Sequence, residues 1–516
     1  MKKLVVKIVF IIVSLAIFIV NLFFVRANTT KVIANDVISY YSYLPAVFIY
    51  KDLSLRFIDK DSSYFRNRIW ADTLSNQCYQ IRTTMGVAVL YSPFFILAHT
   101  YSKLTGELAD GYSSVYEWSL IVAAIFYFLA GLYFLERNLL KYFSPKVTAI
   151  TLILIVFGTN LFVYVTLYAA MSHSFSFSLI AIALYYIDKW YETGRIKDAV
   201  ILGLLYGMIS LVRPTNAILA VVIMLYGIDS LASLRARFLF WLHNWMQVVS
   251  IVFLVCLIWA PQLFYWYHIT GTLFHNSYAK SGGEFFFANP QIINQLFSFR
   301  KGLLLYSPLI GFAFVGLILL YFSNRKLFIA FLLFTFLNIY VLASWWAWWF
   351  GGGFGSRLYV DSYAIMAVGL ASFLAIIARK SLFYRLIVGF VILFFVFLNL
   401  FQSYQFCTGK LHYVAMTKKS YMSSFLNMNP DKEYYDNLVD PNIKNARKGI
   451  YYQDELTYRE VYEQNSEIEK IKQIEFYIRN TPDYLEAVRK KALKRNISLD
   501  SMIRIDALWT LHNKKK

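Results

Sequence analysis

Four short stretches of this chain carry side chains that can hold phosphate or move protons, each set against an otherwise apolar pattern. The first is Asn35-Asp36-Val37-Ile38-Ser39-Tyr40-Tyr41, just beyond the first apolar run. Asp36 there can take a proton from a hydroxyl, and Tyr40 can face a sugar. The same Asp36 also suits the first turn of a helix, where a carboxylate complements the dipole. The second stretch is Leu211-Val212-Arg213-Pro214-Thr215-Asn216. A guanidinium beside a proline break can grip a phosphate with two hydrogen bonds, and broken backbone at membrane depth must line protein or water rather than lipid. A plain hairpin whose Arg213 snorkels to headgroups is the alternative.

The third stretch, Phe299-Arg300-Lys301-Gly302, puts two cations at the end of an apolar run, suited to a lipid phosphate or to headgroups. The fourth runs from Trp345-Trp346-Ala347-Trp348-Trp349 through Gly351-Gly352-Gly353-Phe354-Gly355 to Ser356-Arg357. Trp345 and Trp348 suit sugar stacking or an interfacial aromatic belt, and Arg357 is a further phosphate ligand. His173, in Met171-Ser172-His173-Ser174, adds one imidazole that is either structural or substrate-facing. Ser281-Gly282-Gly283-Glu284 lacks the strand-loop-helix setting of a nucleotide motif. His268 and His275 have no metal constellation around them, and no metal or other cofactor is expected.

The elements that must position these groups are apolar helices. Runs long enough for a membrane occur near residues 5–25, 116–136, 147–168, 175–188, 198–212, 215–229, 246–267, 303–322, 327–345, 360–378 and 385–404, which predicts about eleven spans. Alternate connections hold Arg137, Lys141 and Lys146; Lys189, Arg195 and Lys197; Arg235 and Arg237; Arg325 and Lys326; and Arg379, Lys380 and Arg385. The positive-inside rule makes these cytoplasmic, with Lys2 and Lys3. The other side then receives the segment 26–115, the turn at His173, residues 270–302, the Trp-Gly loop and everything after Tyr404. Met1–Lys7 and the run that follows read as a retained first span rather than a cleaved signal peptide.

Composition agrees with a membrane body: of 516 residues, 59% are hydrophobic, against roughly 45–50% in an ordinary soluble protein. This excludes a soluble enzyme and a disordered chain. The net charge of +20 lies largely in short loops, with no basic-aromatic groove, so nucleic acid is not an expected partner. Cys78, Cys256 and Cys407 make no CxxC or zinc spacing, although a Cys78–Cys407 bridge is open to them and Cys78 should be reachable from outside. Residues 405–516 are polar and should form a small helical appendage. In it 455–479 is charged and free of Pro and Gly, and Thr481-Pro482 has the form of a helix start.

In this order, the motifs resemble those of the GT-C glycosyltransferases, multi-spanning enzymes that use polyprenyl-phosphate sugars, and most of all the protein O-mannosyltransferase and aminoarabinose transferase branch. Asn35-Asp36 with Tyr40 matches the place of that branch's catalytic Asp. Ser92-Pro93 to Thr105-Gly106 resembles its interfacial helix. Arg213-Pro214, the segment Phe297 to Leu303 with Tyr306-Ser307-Pro308, and Gly352 to Arg357 resemble its basic break, a recurring bacterial segment and its Gly-rich loop. Val37 stands where the branch has a second acid beside the first, and Asp52, Asp59, Asp61 and Asp72 do not align with another family carboxylate.

The resemblance implies an all-α, GT-C-type catalytic domain over 1–404, interfacial helices in the first extracytoplasmic loop, and a tail over 405–516. It also implies residence in the plasma (inner) membrane and a polyprenyl-phosphate sugar as donor; the heavy use of Ile, Phe, Tyr, Lys and Asn suggests an AT-rich bacterial genome, for which undecaprenyl phosphate is the expected carrier. The acceptor would be a lipid, a glycan or a protein hydroxyl. In the inverting mechanism that follows, Asp36 is the base, and Arg213, Arg357, Arg300 and Lys301 meet the departing phosphate. Tyr40, His173, Trp345 and Trp348 face the sugar. No metal is required by it, although GT-C oligosaccharyltransferases use one, so a divalent ion at Asp36 stays open. Two other classes remain open: an O-antigen-type polymerase or ligase, which should gather Arg and His in a late outside loop, and a transporter or flippase, which should show repeat symmetry.

Overall fold

The computed structural model describes residues 2–27, 32–65, 68–74, 78–279, 282–451, 470–495 and 497–513. Ser281 and residues 455–469 of the charged tail segment lie outside the described residues. The chain forms two compact units, one of Met1–Tyr413 with Lys444–Ile450 and a second of Val414–Ile443 with Tyr451–Lys516.

The first unit is a membrane body. Six of its helices are long and apolar enough to cross a bilayer: Leu4–Phe23, Ser114–Tyr142, Trp245–Thr270, Arg325–Ala343, Arg357–Ile377 and Leu382–Cys407. Val249, Val252, Phe253 and Leu257 of the third are exposed, as a lipid-facing surface requires. The other expected spans are helical but shorter or more polar: Pro145–Phe157, Ser172–Thr193, Ile196–Val212, Pro214–Leu225 and Leu309–Ser323. The run 147–168 is not one helix. It stops at Gly158, turns through Thr159-Asn160 and resumes as Leu161–Val165, because the Thr159 hydroxyl donates back to Ile155 O and the Asn160 amide reaches Phe354 O. The run 303–322 is likewise broken, between Leu303–Tyr306 and Leu309–Ser323, where Pro308 disfavours helix at the residue before it.

Close helix contact depends on small residues, as is usual within membranes. A Cβ on Gly316 would lie 1.8 Å from Gly369 O, so helices Leu309–Ser323 and Tyr363–Ile377 meet backbone to backbone. A Cβ on Gly86 would lie 2.4 Å from Val212 N, which seats the helix Gly86–Thr105 on the chain immediately before Arg213. That helix contains Pro93 and ends at Gly106 in the left-handed region.

The segment between the first two long helices departs from an all-helical reading. Besides helices Asp36–Tyr41 and Tyr43–Phe48, it holds an antiparallel hairpin, Ala71–Thr73 with Tyr79–Ile81. Gln80 donates to Ser277 O at 3.0 Å, and Tyr265 accepts from Ile81 N at 2.9 Å, so the hairpin is pinned both to the helix Trp245–Thr270 and to the segment after it. Leu231–His243, expected only as a basic connection, is a helix opened by a Ser230–Ser233 capping box.

The last long helix continues past residue 404 to Cys407. In the second unit, residues 470–480 pack with Pro482–Arg495 and Leu499–Asn513 around Ile471, Ile478, Val488, Ala492, Met502, Ile503 and Ala507. Pro482 opens its helix as expected, but the Thr481 hydroxyl donates back to Tyr477 O and so closes the preceding helix instead of capping the next. All three cysteines are free, and Cys78 is buried beside Arg56, so neither a Cys78–Cys407 bridge nor an accessible Cys78 holds.

Candidate functional site

Asp36 opens the short helix Asp36–Tyr41, and Asn35 before it has φ 52° and ψ −136° with no side-chain capping bond. A non-glycine residue at positive φ is unfavourable and needs surrounding support. Support comes from neighbours on the helix: the Ser39 hydroxyl pairs with Thr83 Oγ1 at 3.0 Å, Tyr41 donates to Gly111 O, and Tyr43, in the next helix, donates to Thr83 O at 2.7 Å. The Asp36 carboxylate caps nothing. Its Oδ2 meets Arg357 NH2 at 2.8 Å, with side-chain exposures of 36% and 14%.

Arg357 ends the glycine-rich loop, whose shape depends on its glycines. Gly353 has φ 149° and Gly355 φ 58°, and a Cβ on Gly353 would lie 2.7 Å from the Tyr164 hydroxyl. Tyr164 both accepts from Phe354 N at 3.0 Å and donates to Phe354 O at 3.1 Å. Lys301 is 2% exposed, and its ammonium donates to the carbonyls of Gly353 and Tyr413. The Ser356 hydroxyl in turn donates to Lys301 O. Lys301 therefore fastens the loop that carries Arg357. Burial pushes the Lys301 ammonium well below the usual lysine range, with Arg357 and Arg300 adding to the effect. Arg300 is buried too, and its backbone N–H donates to Ser298 Oγ at 3.1 Å. Burial also holds the His412 imidazole down at about 4, helped by the Lys301 and Arg300 charges.

Arg213 follows the helix Ile196–Val212, and the 3-10 turn Pro214–Leu219 begins directly after it. Its Nε lies 3.4 Å from Asp361 Oδ2, and its NH1 lies 3.0 Å from His173 Nδ1. Asp361 Oδ1 accepts from His173 Nδ1 at 2.9 Å, and Asp361 Oδ2 accepts from Asn216 Nδ2 at 2.9 Å. A carboxylate accepting at Nδ1 means that Nδ1 carries the proton, so the Arg213 guanidinium lies against the imidazole and does not donate to that nitrogen. His173 is 1% and Asp361 4% exposed, whereas Arg213 keeps 18% of its side chain in the open. Of the structural and substrate-facing readings of His173, the geometry shows the first: it packs against Arg213 and is held by Asp361.

Tyr40, 9% exposed, shares a hydrogen bond with Ser172 Oγ at 3.2 Å, and burial together with the Asp36 charge pushes its phenol above the usual tyrosine range, with Arg213 opposing. Tyr278, after the helix Trp245–Thr270, senses Asp36, Arg213 and Arg357. The two tryptophans part company: Trp345 is half-buried, edge-on to Phe285 and Tyr278, while Trp348 is 8% exposed, packs edge-on against Trp349, and its carbonyl accepts from Gln295. Burial leaves the Trp348 ring no face for sugar stacking, and Trp345 keeps part of one.

The resulting constellation joins Asp36, Arg357, Arg213, Tyr40 and Tyr278. No protein-family model matches this chain, and no curated protein does. Among the described residues no three His, Cys, Asp or Glu side chains gather as a metal site. Sequence reasoning missed Asp361, although it stands inside a run read as a membrane span, where a charge is costly and survives with a partner or a task. It also missed Gln295, which donates to Leu342 O and Trp348 O and accepts from Tyr359, bracing the loop from below. Nothing in the sequence around Gln295 distinguishes it from other loop amides.

Proposed function

We propose that this chain is an integral membrane glycosyltransferase of GT-C type, moving a sugar from a polyprenyl phosphate to an acceptor hydroxyl on the extracytoplasmic side. The supporting observation is the pairing of Asp36 with Arg357 beside a second, independently held guanidinium, Arg213. A carboxylate base and two cations at one mouth are what displacement at an anomeric carbon calls for.

The donor phosphate competes with Asp36 for Arg357, since a phosphate offers the guanidinium more acceptor oxygens than one carboxylate edge. Asp36, the more exposed partner, is then released toward the acceptor. Asp36 takes the acceptor proton as the acceptor oxygen bonds to the anomeric carbon, and the carbon–oxygen bond to phosphate breaks on the opposite face. The configuration inverts, and the negative charge leaves on the lipid phosphate between Arg357 and Arg213. Tyr278 and the open part of Trp345 line the sugar's side, and Tyr40, buried and bonded to Ser172, supports it from within. In this reading all eleven apolar segments cross or enter the bilayer, the N-terminus is cytoplasmic, and the tail lies outside with the site. The acceptor is a lipid, glycan or protein hydroxyl, and the carrier is undecaprenyl phosphate.

Membranes holding the wild-type chain or Asp36→Asn at matched amounts would be given a panel of labelled undecaprenyl-phosphate sugars. Release of lipid phosphate by wild type and its loss in the variant is the expected result. A well-folded wild type that turns over none of the panel would overturn the proposal in favour of polymerisation or transport.

A further inference from the structure

We infer that Asp361 is a positioning residue that aims Arg213 at the lipid phosphate through His173 and Asn216. This inference rests on the proposed reading of the site as a polyprenyl-phosphate site. Asp361 stands at the base of the helix Tyr363–Ile377, in the 3-10 turn Arg357–Ser362 that also carries Arg357. One short turn therefore supplies one cation directly and holds the other indirectly.

The geometry assigns the parts. Asp361 Oδ1 fixes the imidazole by accepting from Nδ1 at 2.9 Å, and Oδ2 is shared between Asn216 Nδ2 at 2.9 Å and Arg213 Nε at 3.4 Å. Asn216 also donates to Ser176 Oγ at 3.2 Å, so the carboxylate is tied to both neighbouring elements. The His173 ring forms a flat wall for the guanidinium, with NH1 at 3.0 Å and 3.5 Å from its two nitrogens. Tyr164 meets that ring edge-on, with centroids 5.2 Å apart. Arg213 is thereby held by its Nε edge and one face, and 18% of its side chain stays exposed for a ligand. An arginine fixed in this way loses little side-chain freedom when it meets a phosphate.

A buried anion next to a phosphate-binding cation has two opposite possible effects, and their sign separates the hypotheses. If Asp361 merely offsets the charge of Arg213, neutralising it should strengthen phosphate binding. If it positions Arg213, neutralising it should weaken binding.

The experiment is binding of farnesyl phosphate, with farnesol as the uncharged control, to the purified full-length chain in detergent. Wild type should bind the phosphate more tightly than the alcohol, and Arg213→Ala should lose that preference. Asp361→Asn should weaken farnesyl phosphate binding about tenfold, equal to about 1.4 kcal/mol, without changing farnesol binding. Asp361→Glu should recover part of the loss. Should Asp361→Asn not fold, Asn216→Ala tests the same contact and should weaken phosphate binding without moving farnesol binding. Phosphate affinity equal to or above wild type in these variants, with Arg213→Ala still impaired, overturns the positioning role and leaves the proposed function standing. A wild type that does not distinguish farnesyl phosphate from farnesol removes both.

Discussion

Arg357 and Asp36 form an ion pair at 2.8 Å, joining the end of a glycine-rich loop to a helix that begins just beyond the first span. The sequence offered these residues for separate tasks, phosphate holding and proton transfer. Their contact makes the two tasks interdependent, because the cation that receives the phosphate is the one that restrains the base.

Asp36→Asn should lower transfer by about 10²–10⁴-fold, the usual worth of a positioned base, while farnesyl phosphate binds at least as tightly as to wild type, since the amide removes a competitor for Arg357 and no cation. Arg357→Gln should lower both. Binding and turnover measured on the same membrane preparations separate the two variants, and an Asp36→Asn chain with unimpaired turnover would leave Asp36 as a structural partner of Arg357.

The membrane core allows no added atom where two helices touch. Gly316→Ala places a methyl 1.8 Å from Gly369 O, so the helices must separate. Overpacking of this kind costs about 1–3 kcal/mol, and thermal unfolding in detergent should begin several degrees lower. Gly86→Ala pushes instead on Val212 and should also weaken phosphate binding at Arg213. Unchanged melting for both variants would contradict the backbone contacts described here.

Acid should destabilise the region around His412. Its folded pKa is held at about 4 by burial and by the nearby Lys301 and Arg300, against about 6.5 for an unperturbed histidine. Between these values the unfolded chain binds more protons, so stability is intact above the upper value and is lost as pH falls toward the lower one. His412→Asn should flatten that part of the profile in thermal melts taken from pH 7.5 to pH 4.5. A slope identical to wild type would assign the acid sensitivity elsewhere.

Topology can be tested with cysteines placed on exposed positions, because Cys78 is buried. In a background lacking the native thiols, Glu107→Cys should react with an impermeant maleimide in intact cells, and Arg195→Cys only after permeabilisation. Both side chains are exposed, one beyond the helix Gly86–Thr105 and the other between Ser172–Thr193 and Ile196–Val212. The reverse pattern would put Asp36 on the cytoplasmic face.

The individual polar stretches were legible because each breaks an apolar pattern. Arg213-Pro214 interrupts what would otherwise be one hydrophobic run, and Gly351 to Gly355 cannot be a helix. Their partners were not legible. Lys301 reads in sequence as a phosphate ligand, yet its ammonium is spent on two loop carbonyls. His173 reads in sequence as either structural or substrate-facing, and only the fold packs it against Arg213. A side chain's reach over a few residues says nothing about which distant carbonyl or carboxylate meets it.

By itself the sequence determined a helical membrane body and a polar tail, because hydrophobic length and charge placement are set by the solvent on each side and need no knowledge of packing. Tertiary structure decided where the spans break, that a hairpin lies in the first loop, and which acid pairs with which guanidinium. Those outcomes follow from long-range contacts, such as Asn160 reaching Phe354, Ile81 meeting Tyr265, and Asp361 gathering His173, Asn216 and Arg213. Buried polar groups must find partners wherever the fold brings them, and only the folded chain states where that is.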